Sequence, residues 1–352
     1  MPATPWIRQR NCQPARELRA NGGAAIGKLW LLALAHLLQV LSPYSVMADN
    51  SEPPTTAPGF AHLLTSQTRK TFDAIQTYLQ NHPDTEDSLP AALWSLETAR
   101  EFGWEVDARH SAAWVLTQSG VDAESRRLAQ LVTAVAHARQ GNPADAKAAF
   151  ADFLRTLRLR QPNVAADGAQ SLASAWQLQG NLAAARDVYE DLRGSFFLSD
   201  EIRQFTEARI QRLTLVGQVA PALVEADLAG RPVDWSDSAD KVVLIDFWAT
   251  NCRPCIDELP RLKRRRAEFA SQGVEFLGVS FDDDPAVVAQ FQKDQGMSWR
   301  QVLGRPSAEQ KYFVELIPCL MLVDRQGKVA AVDVRPADLR AALQGVLARK
   351  DP

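Results

Sequence analysis

One stretch, Val242–Pro260 (VVLIDFWATNCRPCIDELP), narrows the choice of folds more than any other part of this 352-residue chain. Val242, Val243, Leu244 and Ile245 make an apolar, largely β-branched run that reads as a strand buried on both faces, ending in Asp246-Phe247-Trp248. A turn through Ala249-Thr250-Asn251 leads to Cys252-Arg253-Pro254-Cys255, and Ile256–Arg266 has the spacing and charge of a helix. Two cysteines therefore stand where a strand hands over to a helix. The first helical turn offers unpaired N–H groups and the positive end of the helix dipole, which together stabilise a thiolate. Cys252 is expected to be the exposed nucleophile and Cys255 the inner, resolving thiol. Arg253 adds a positive charge beside Cys252, and Pro254 suits a first turn because it has no N–H to satisfy.

Other uses of a CxxC are weaker here. A structural zinc site needs four ligands, and the chain has neither a second CxxC nor any histidine after His137. Two inert core cysteines would not require a strand-to-helix junction. The pattern points to redox chemistry, with no metal and no cofactor beyond the Cys252–Cys255 disulfide itself.

FWATNCRPCIDELP resembles the active-site segment of the thioredoxin superfamily, above all the extracytoplasmic TlpA/ResA-type thiol–disulfide oxidoreductases. The resemblance runs from about Val216 to Leu347. VGQVAPALVEADLAGRPVDWSD is similar to the family's opening, with a hairpin around Asp227–Pro232; VEFLGVSFDDDPAVVAQF is similar to its next strand and helix; IPCLMLVDRQGKV is similar to the segment that holds its cis-proline. The implied C-terminal fold is an α/β thioredoxin fold over 216–352. Its expected elements after the catalytic helix are a strand at Val274–Val279, a helix at Pro285–Gln295 and a strand at Trp299–Leu303. A helix at Ser307–Val314, strands at Leu320–Val323 and Lys328–Val334, and a closing helix at Ala337–Ala348 complete it.

Residue by residue, the resemblance makes Asp246 the buried acid beneath the active site and Glu258 the acid of the ResA-type helix. Either could take a proton from Cys255, since a carboxylate kept from water has a raised pKa. An exposed position is the plainer alternative for Glu258, because Asp257 beside it reads as solvent-facing. Pro318 takes the place of the cis-proline opposite the CxxC, with a backbone neighbour that would bond an incoming substrate strand. Trp248 belongs to the same active-site surround. Two positions depart from the family. Asn251 stands where tryptophan usually precedes the first cysteine, removing an aromatic lip. Cys319 follows the proline where a small hydroxyl residue is usual; it packs there, forms an alternative disulfide with Cys252 or serves as a regulatory thiol.

Length suggests two domains, and the composition, 46% hydrophobic and 23% charged with a net charge of −3, fits a globular protein with no pull toward nucleic acid. Residues 1–48 read as a signal peptide or N-terminal anchor: Arg8, Arg10, Arg16, Arg19 and Lys28 against one acid, Glu17, then the apolar run Leu29–Leu41 and small residues at Val46-Met47-Ala48. Such a segment implies an exported, periplasmic or otherwise extracytoplasmic protein, where a CxxC pair is a disulfide by default. Asn50–Gly59, rich in Pro, Ser and Thr, reads as a linker within 49–59.

Residues 60–215 show helical patterns and no convincing strand, an all-α helical-repeat domain. HARQGNPADAKAAFADFL from His137 and WQLQGNLAAARDVYEDLR from Trp176 look like copies, each with Gly-Asn at a turn and an aromatic, Phe150 or Tyr189, at similar offset. They resemble degenerate tetratricopeptide helix pairs; Ala91–Gly103 and Ala112–Ala123 are expected to be earlier helices of the array. Stacked hairpins present a face that binds a peptide or protein, the alternative being a spacer. Trp94, Trp104, Trp114 and Trp176 are expected to fill helix-packing cores.

The function implied by the resemblance is a thiol–disulfide oxidoreductase acting on exported protein disulfides, in the reducing direction, with apocytochrome c or similar thiol proteins as substrates and a membrane electron donor of the DsbD/CcdA type. The alternatives are a helical-repeat scaffold with a structural thioredoxin-like module, and a peroxiredoxin-like peroxidase. The paired CxxC disfavours the peroxidase, which would have a single peroxidatic cysteine in a Thr-x-x-Cys context.

Overall fold

A computed structural model describes residues 60–157 and 161–349. The segments expected to be a signal or anchor and a linker, 1–59, lie outside the described residues. Among the described residues, no helix is long and apolar enough to cross a membrane.

Among the described residues eight helices come first: α1 (Phe60–Asn81), α2 (Ser88–Phe102), α3 (Arg109–Thr117), α4 (Ala123–Arg139), α5 (Pro143–Thr156), α6 (Pro162–Leu178), α7 (Leu182–Ser195) and α8 (Asp200–Leu213). The helix expected over Ala112–Ala123 is divided, because Gly120 turns the chain with φ 80° between α3 and α4. The two look-alike segments fold alike. Gly141 and Gly180 leave α4 and α6 at φ 75° and 72°. The next residues, Asn142 (φ −101°, ψ 83°) and Asn181 (φ −95°, ψ 77°), start α5 and α7. Each turn closes with the same bond, Asn142 N to His137 O and Asn181 N to Trp176 O, both 3.0 Å.

The C-terminal part alternates strand and helix: β1 (Val242–Trp248), α9 (Arg253–Phe269), β2 (Val274–Ser280), α10 (Pro285–Asp294), β3 (Arg300–Leu303), α11 (Arg305–Lys311), β4 (Cys319–Val323), β5 (Val329–Ala331) and α12 (Leu339–Ala348). The five strands form one sheet ordered β3-β2-β1-β4-β5. β1 pairs parallel to β2 and antiparallel to β4, β2 pairs parallel to β3, and β4 pairs antiparallel to β5. This is the expected thioredoxin fold. The strand expected over Lys328–Val334 stops at Ala331; two residues on, Asp333 takes φ 53° and leaves the ladder. The helix expected over Ser307–Val314 starts and ends earlier, since Phe313 takes φ 56°.

Every residue of β1 is buried, as the apolar run demands, and alternate side chains serve two cores. Val242, Leu244 and Trp248, with Leu320 and Leu322 of β4, pack with Cys255, Leu259 and Leu262 of α9 and Leu339 and Leu343 of α12. Val243, Ile245 and Phe247, with Cys319, Met321 and Val323, share a core with Phe150, Phe153, Leu172, Tyr189 and Leu192 of the helical region. The boundary at 215/216 is therefore a change of secondary structure but not of packing: Thr71–Pro352 is one compact unit. Trp176 is buried in this shared core, while Trp94, Trp104 and Trp114 pack against a third cluster with Phe72 and Leu96.

Buried charges join the same two regions. Arg335 pairs with Glu105 at 3.0 Å and with Asp338 at 2.8 Å. Arg139 of α4 also pairs with Asp338 and Glu105, and Ser174 of α6 donates to Asp338 at 2.7 Å. Gln177 of α6 meets the backbone of Val332 twice, donating to its carbonyl at 2.9 Å and accepting from its N–H at 3.1 Å. Breaking one partner of a buried pair costs about 3–5 kcal/mol because the other charge is stranded.

Candidate active site

Cys252 is the N-cap of α9 and is bonded to Cys255, with Cα atoms 5.3 Å apart. Cys252 is half-buried and Cys255 buried, the exposed-outer, buried-inner order expected of an attacking and a resolving sulfur. The Cys252 sulfur accepts from the Cys255 N–H at 3.3 Å, so the helix start presents a donor to the sulfur that would carry the charge. Pro254 occupies the first helical turn. Arg253 does not act as a free cation: it is exposed and pairs with Asp257 at 2.9 Å.

Asp246 lies at the active-site end of β1, opposite Gly278 of β2 and Leu320 of β4. By strand alternation its side chain faces the core of Leu244, Trp248, Cys255 and Leu259. It is 4% exposed, and burial pushes its carboxyl up to about 7. Glu258, on α9 three residues after Cys255, is half-buried rather than exposed. Burial first, and then the charge of Asp246, push it up to about 8, with Arg261 opposing. Two carboxyls with pKa values raised toward or above neutral thus stand on β1 and α9, the elements that enclose the inner cysteine's core.

Pro318 follows a cis peptide bond from Ile317. The β1–β4 ladder ends at the pair Phe247 and Cys319, so Ile317 and Pro318 lie just beyond it. Ile317 and Cys252 both pack against the same two cores. Asn251 is exposed, as is Leu316 of the proline loop. Cys319 points to the face away from Cys255, is 2% exposed and donates to Asp333 Oδ1 at 3.4 Å. Burial, then the charge of Asp333, push its thiol up to about 12. Its burial in the core on the other face of the sheet fits the packing role.

Several residues of the site carry no motif in the sequence. Asp282 anchors the turn before Cys252, accepting from Thr250 N at 2.9 Å and Thr250 Oγ1 at 2.7 Å, while Ser280 donates to it at 2.6 Å. Of the Asp282-Asp283-Asp284 run, only Asp284 caps α10, accepting from Ala286 N at 2.8 Å. Gln301 accepts from the indole of Trp248 at 2.9 Å and fixes that ring. Among the described residues no group of His, Cys, Asp and Glu could hold a metal ion.

Residues 216–332 match the AhpC/TSA family. The thiol-disulfide oxidoreductase ResA of Bacillus subtilis is 33% identical over 117 residues, covering 33% of this chain and 65% of that one. ResA of Geobacillus thermodenitrificans is 33% identical over 118 residues, covering 33% and 68%. Among solved structures, the thioredoxin domain of a thiol-disulfide oxidoreductase from Bacteroides vulgatus is 32% identical, covering 37% of this chain and 95% of that one, with a TM-score of 0.34. The match thus spans about two thirds of the ResA proteins and leaves the helical region of this chain outside it. With a strand-to-helix CxxC, a buried acid on β1 and a cis-proline just before β4, the chain belongs, through its C-terminal third, to the family of ResA thiol-disulfide oxidoreductases.

Proposed function

We propose that the protein is a thiol–disulfide oxidoreductase that reduces disulfides of exported proteins through Cys252 and Cys255. The observation that carries the reading is the disulfide at the start of α9 with two proton-holding carboxyls, Asp246 and Glu258, on the side of the inner sulfur. In the reduced protein the Cys252 thiolate attacks one sulfur of a substrate disulfide. Cys252 becomes joined to that sulfur, and the other substrate sulfur leaves as a thiolate that takes up a proton. Cys255 gives its proton to Asp246 or Glu258 in the carboxylate form and attacks Cys252; the Cys252–Cys255 disulfide reforms, the second substrate sulfur leaves as a thiolate and takes up a proton, and the substrate departs as a dithiol. Two electrons pass from the protein to the substrate.

Direction follows from which charges remain uncompensated. The helix start favours a thiolate and hence an oxidant, but Arg253 is offset by Asp257. The buried acids oppose a second negative charge near the sulfurs, which disfavours the dithiolate and makes the pair a better reductant. A reductase in an oxidising compartment must be recharged, and a membrane donor of the DsbD/CcdA type fits that need, with apocytochrome c or similar thiol proteins as the substrate class. The array of helical hairpins fits a tetratricopeptide-like platform for a peptide or protein partner.

Equilibration of the soluble chain in glutathione or dithiothreitol buffers tests this reading. A potential near that of thioredoxin, about −270 mV, is expected. One near the oxidant DsbA, about −120 mV, would reverse the direction, and no reversible two-electron couple would leave a scaffold.

A further inference from the structure

The loop that carries Pro318, residues 313–319, is held at its start by Arg212 of the helical region directly and at its end by Asp333, which Arg212 also binds. Arg212, at the end of α8, is 2% exposed. Its Nη1 donates to the carbonyl of Phe313, where the loop begins. Its Nε donates at 3.0 Å to each carboxylate oxygen of Asp333. Asp333 Oδ1 accepts from the thiol of Cys319, where the loop ends, at 3.4 Å. Arg209, one turn earlier, steadies the same carboxylate while its Nη2 donates to Gln170 of α6 at 3.0 Å.

The charges are matched to this arrangement. Burial would raise the Asp333 carboxyl, but Arg209 and Arg212 outweigh it and hold Asp333 below the usual carboxylate range. Phe313 and Asp333 both take left-handed backbone conformations, φ 56° and 53°, which residues with side chains adopt when their surroundings impose them. Between the two gripped ends, Glu315 and Leu316 stay exposed. The base of the loop is thus fixed from outside the sheet, and its tip is left exposed.

We propose that Arg212 is a positioning residue for protein substrates, setting from α8 the loop on which a substrate strand docks next to the Cys252–Cys255 pair. The inference rests on that pair being the redox centre. Reaction with a small dithiol needs the sulfurs but not the loop, whereas a protein disulfide needs both. An arginine at this place can bond Phe313 and Asp333 together through a planar fork; a lysine keeps the charge for Asp333 but not the fork.

The test compares two reactions of the full chain. In Arg212→Lys, kcat/KM for reduction of insulin is expected to fall about tenfold or more, with the fall carried by KM, since small misplacements of a docking surface are costly. The rate at which dithiothreitol reduces the Cys252–Cys255 disulfide, and the reduction potential, are expected to stay at the wild-type values. Cys319→Ala, which strands no charge, is expected to shift the insulin-to-dithiothreitol ratio in the same direction, and Cys319→Ser, which restores a donor to Asp333, to recover it. If Arg212→Lys does not fold, the Cys319 pair decides by the same ratio. Insulin and dithiothreitol rates that fall together, or an unchanged ratio, would overturn the positioning role. A wild-type chain with no reversible dithiol couple would overturn the redox reading instead, and this inference with it.

Discussion

Asp246→Asn should remove a pH-dependent weakness built into the sheet. The carboxyl ordinarily loses its proton near 3.8 but keeps it to about 7 in the fold, because burial in the apolar core penalises the charged form. Below the lower value both folded and unfolded chains carry the proton, and the group is neutral in each. Between the two values the unfolded chain has released the proton and the folded chain has not, so stability falls as pH rises; above about 7 the loss levels off. Each pH unit in that window carries about 1.4 kcal/mol, giving an upper figure of about 4 kcal/mol. Relaxation and water entry around the carboxylate lower the expectation to about 2–4 kcal/mol. Guanidinium unfolding of the oxidised protein, in which neither Cys252 nor Cys255 titrates, would be followed from pH 4 to pH 9. The variant should gain on the wild type steadily across the window and hold its lead above it. Parallel stability curves would refute the reasoning, showing that Asp246 is solvated or paired in the fold.

Cys255→Ser should trap a mixed disulfide between Cys252 and a protein substrate, seen as a reducible adduct by mass spectrometry, whereas Cys252→Ser should form none. Glu258→Gln should slow resolution of that mixed disulfide by tenfold or less near and above pH 8, where the carboxylate is free to accept a proton, Asp246 remaining as a second acceptor; a stopped-flow pH profile without change would exclude Glu258 from the step. Asp282→Ala removes three hydrogen bonds at Thr250 and Ser280 and should destabilise the fold by about 1–3 kcal/mol, read from denaturant midpoints. Residues 216–349 expressed alone should show no cooperative thermal transition by circular dichroism, because Asp333, Arg335 and Asp338 lose buried partners and one sheet face loses its cover.

Local signals made the C-terminal fold legible. The apolar run at Val242–Ile245, the CxxC, and proline or aspartate at helix starts each state their element within a few residues. The resemblance to a known family supplied the roles of Asp246, Glu258 and Pro318, which a lone acid or proline does not declare. What remained hidden depends on residues far apart in sequence. Arg212 and Asp333 are separated by 121 positions, and neither sits in a motif; a buried arginine is indistinguishable in sequence from a solvated one. Asp282 is one of three consecutive acids with nothing local to single it out, and only the fold brings it to Thr250. The division between α3 and α4 turns on the single Gly120, which the apolar pattern around it masks.

The core common to the helices and the sheet restricts how such a chain can be recombined. Replacing the C-terminal third with another thioredoxin-like module would leave Arg139, Arg209 and Arg212 facing a surface without Asp333 and Asp338, and would leave Glu105 without Arg335. A working chimera must transplant those acids and that arginine together, along with a backbone for Gln177 to bind. The two halves are therefore expected to be inherited as a single cassette, with substitutions on one side of the seam answered on the other.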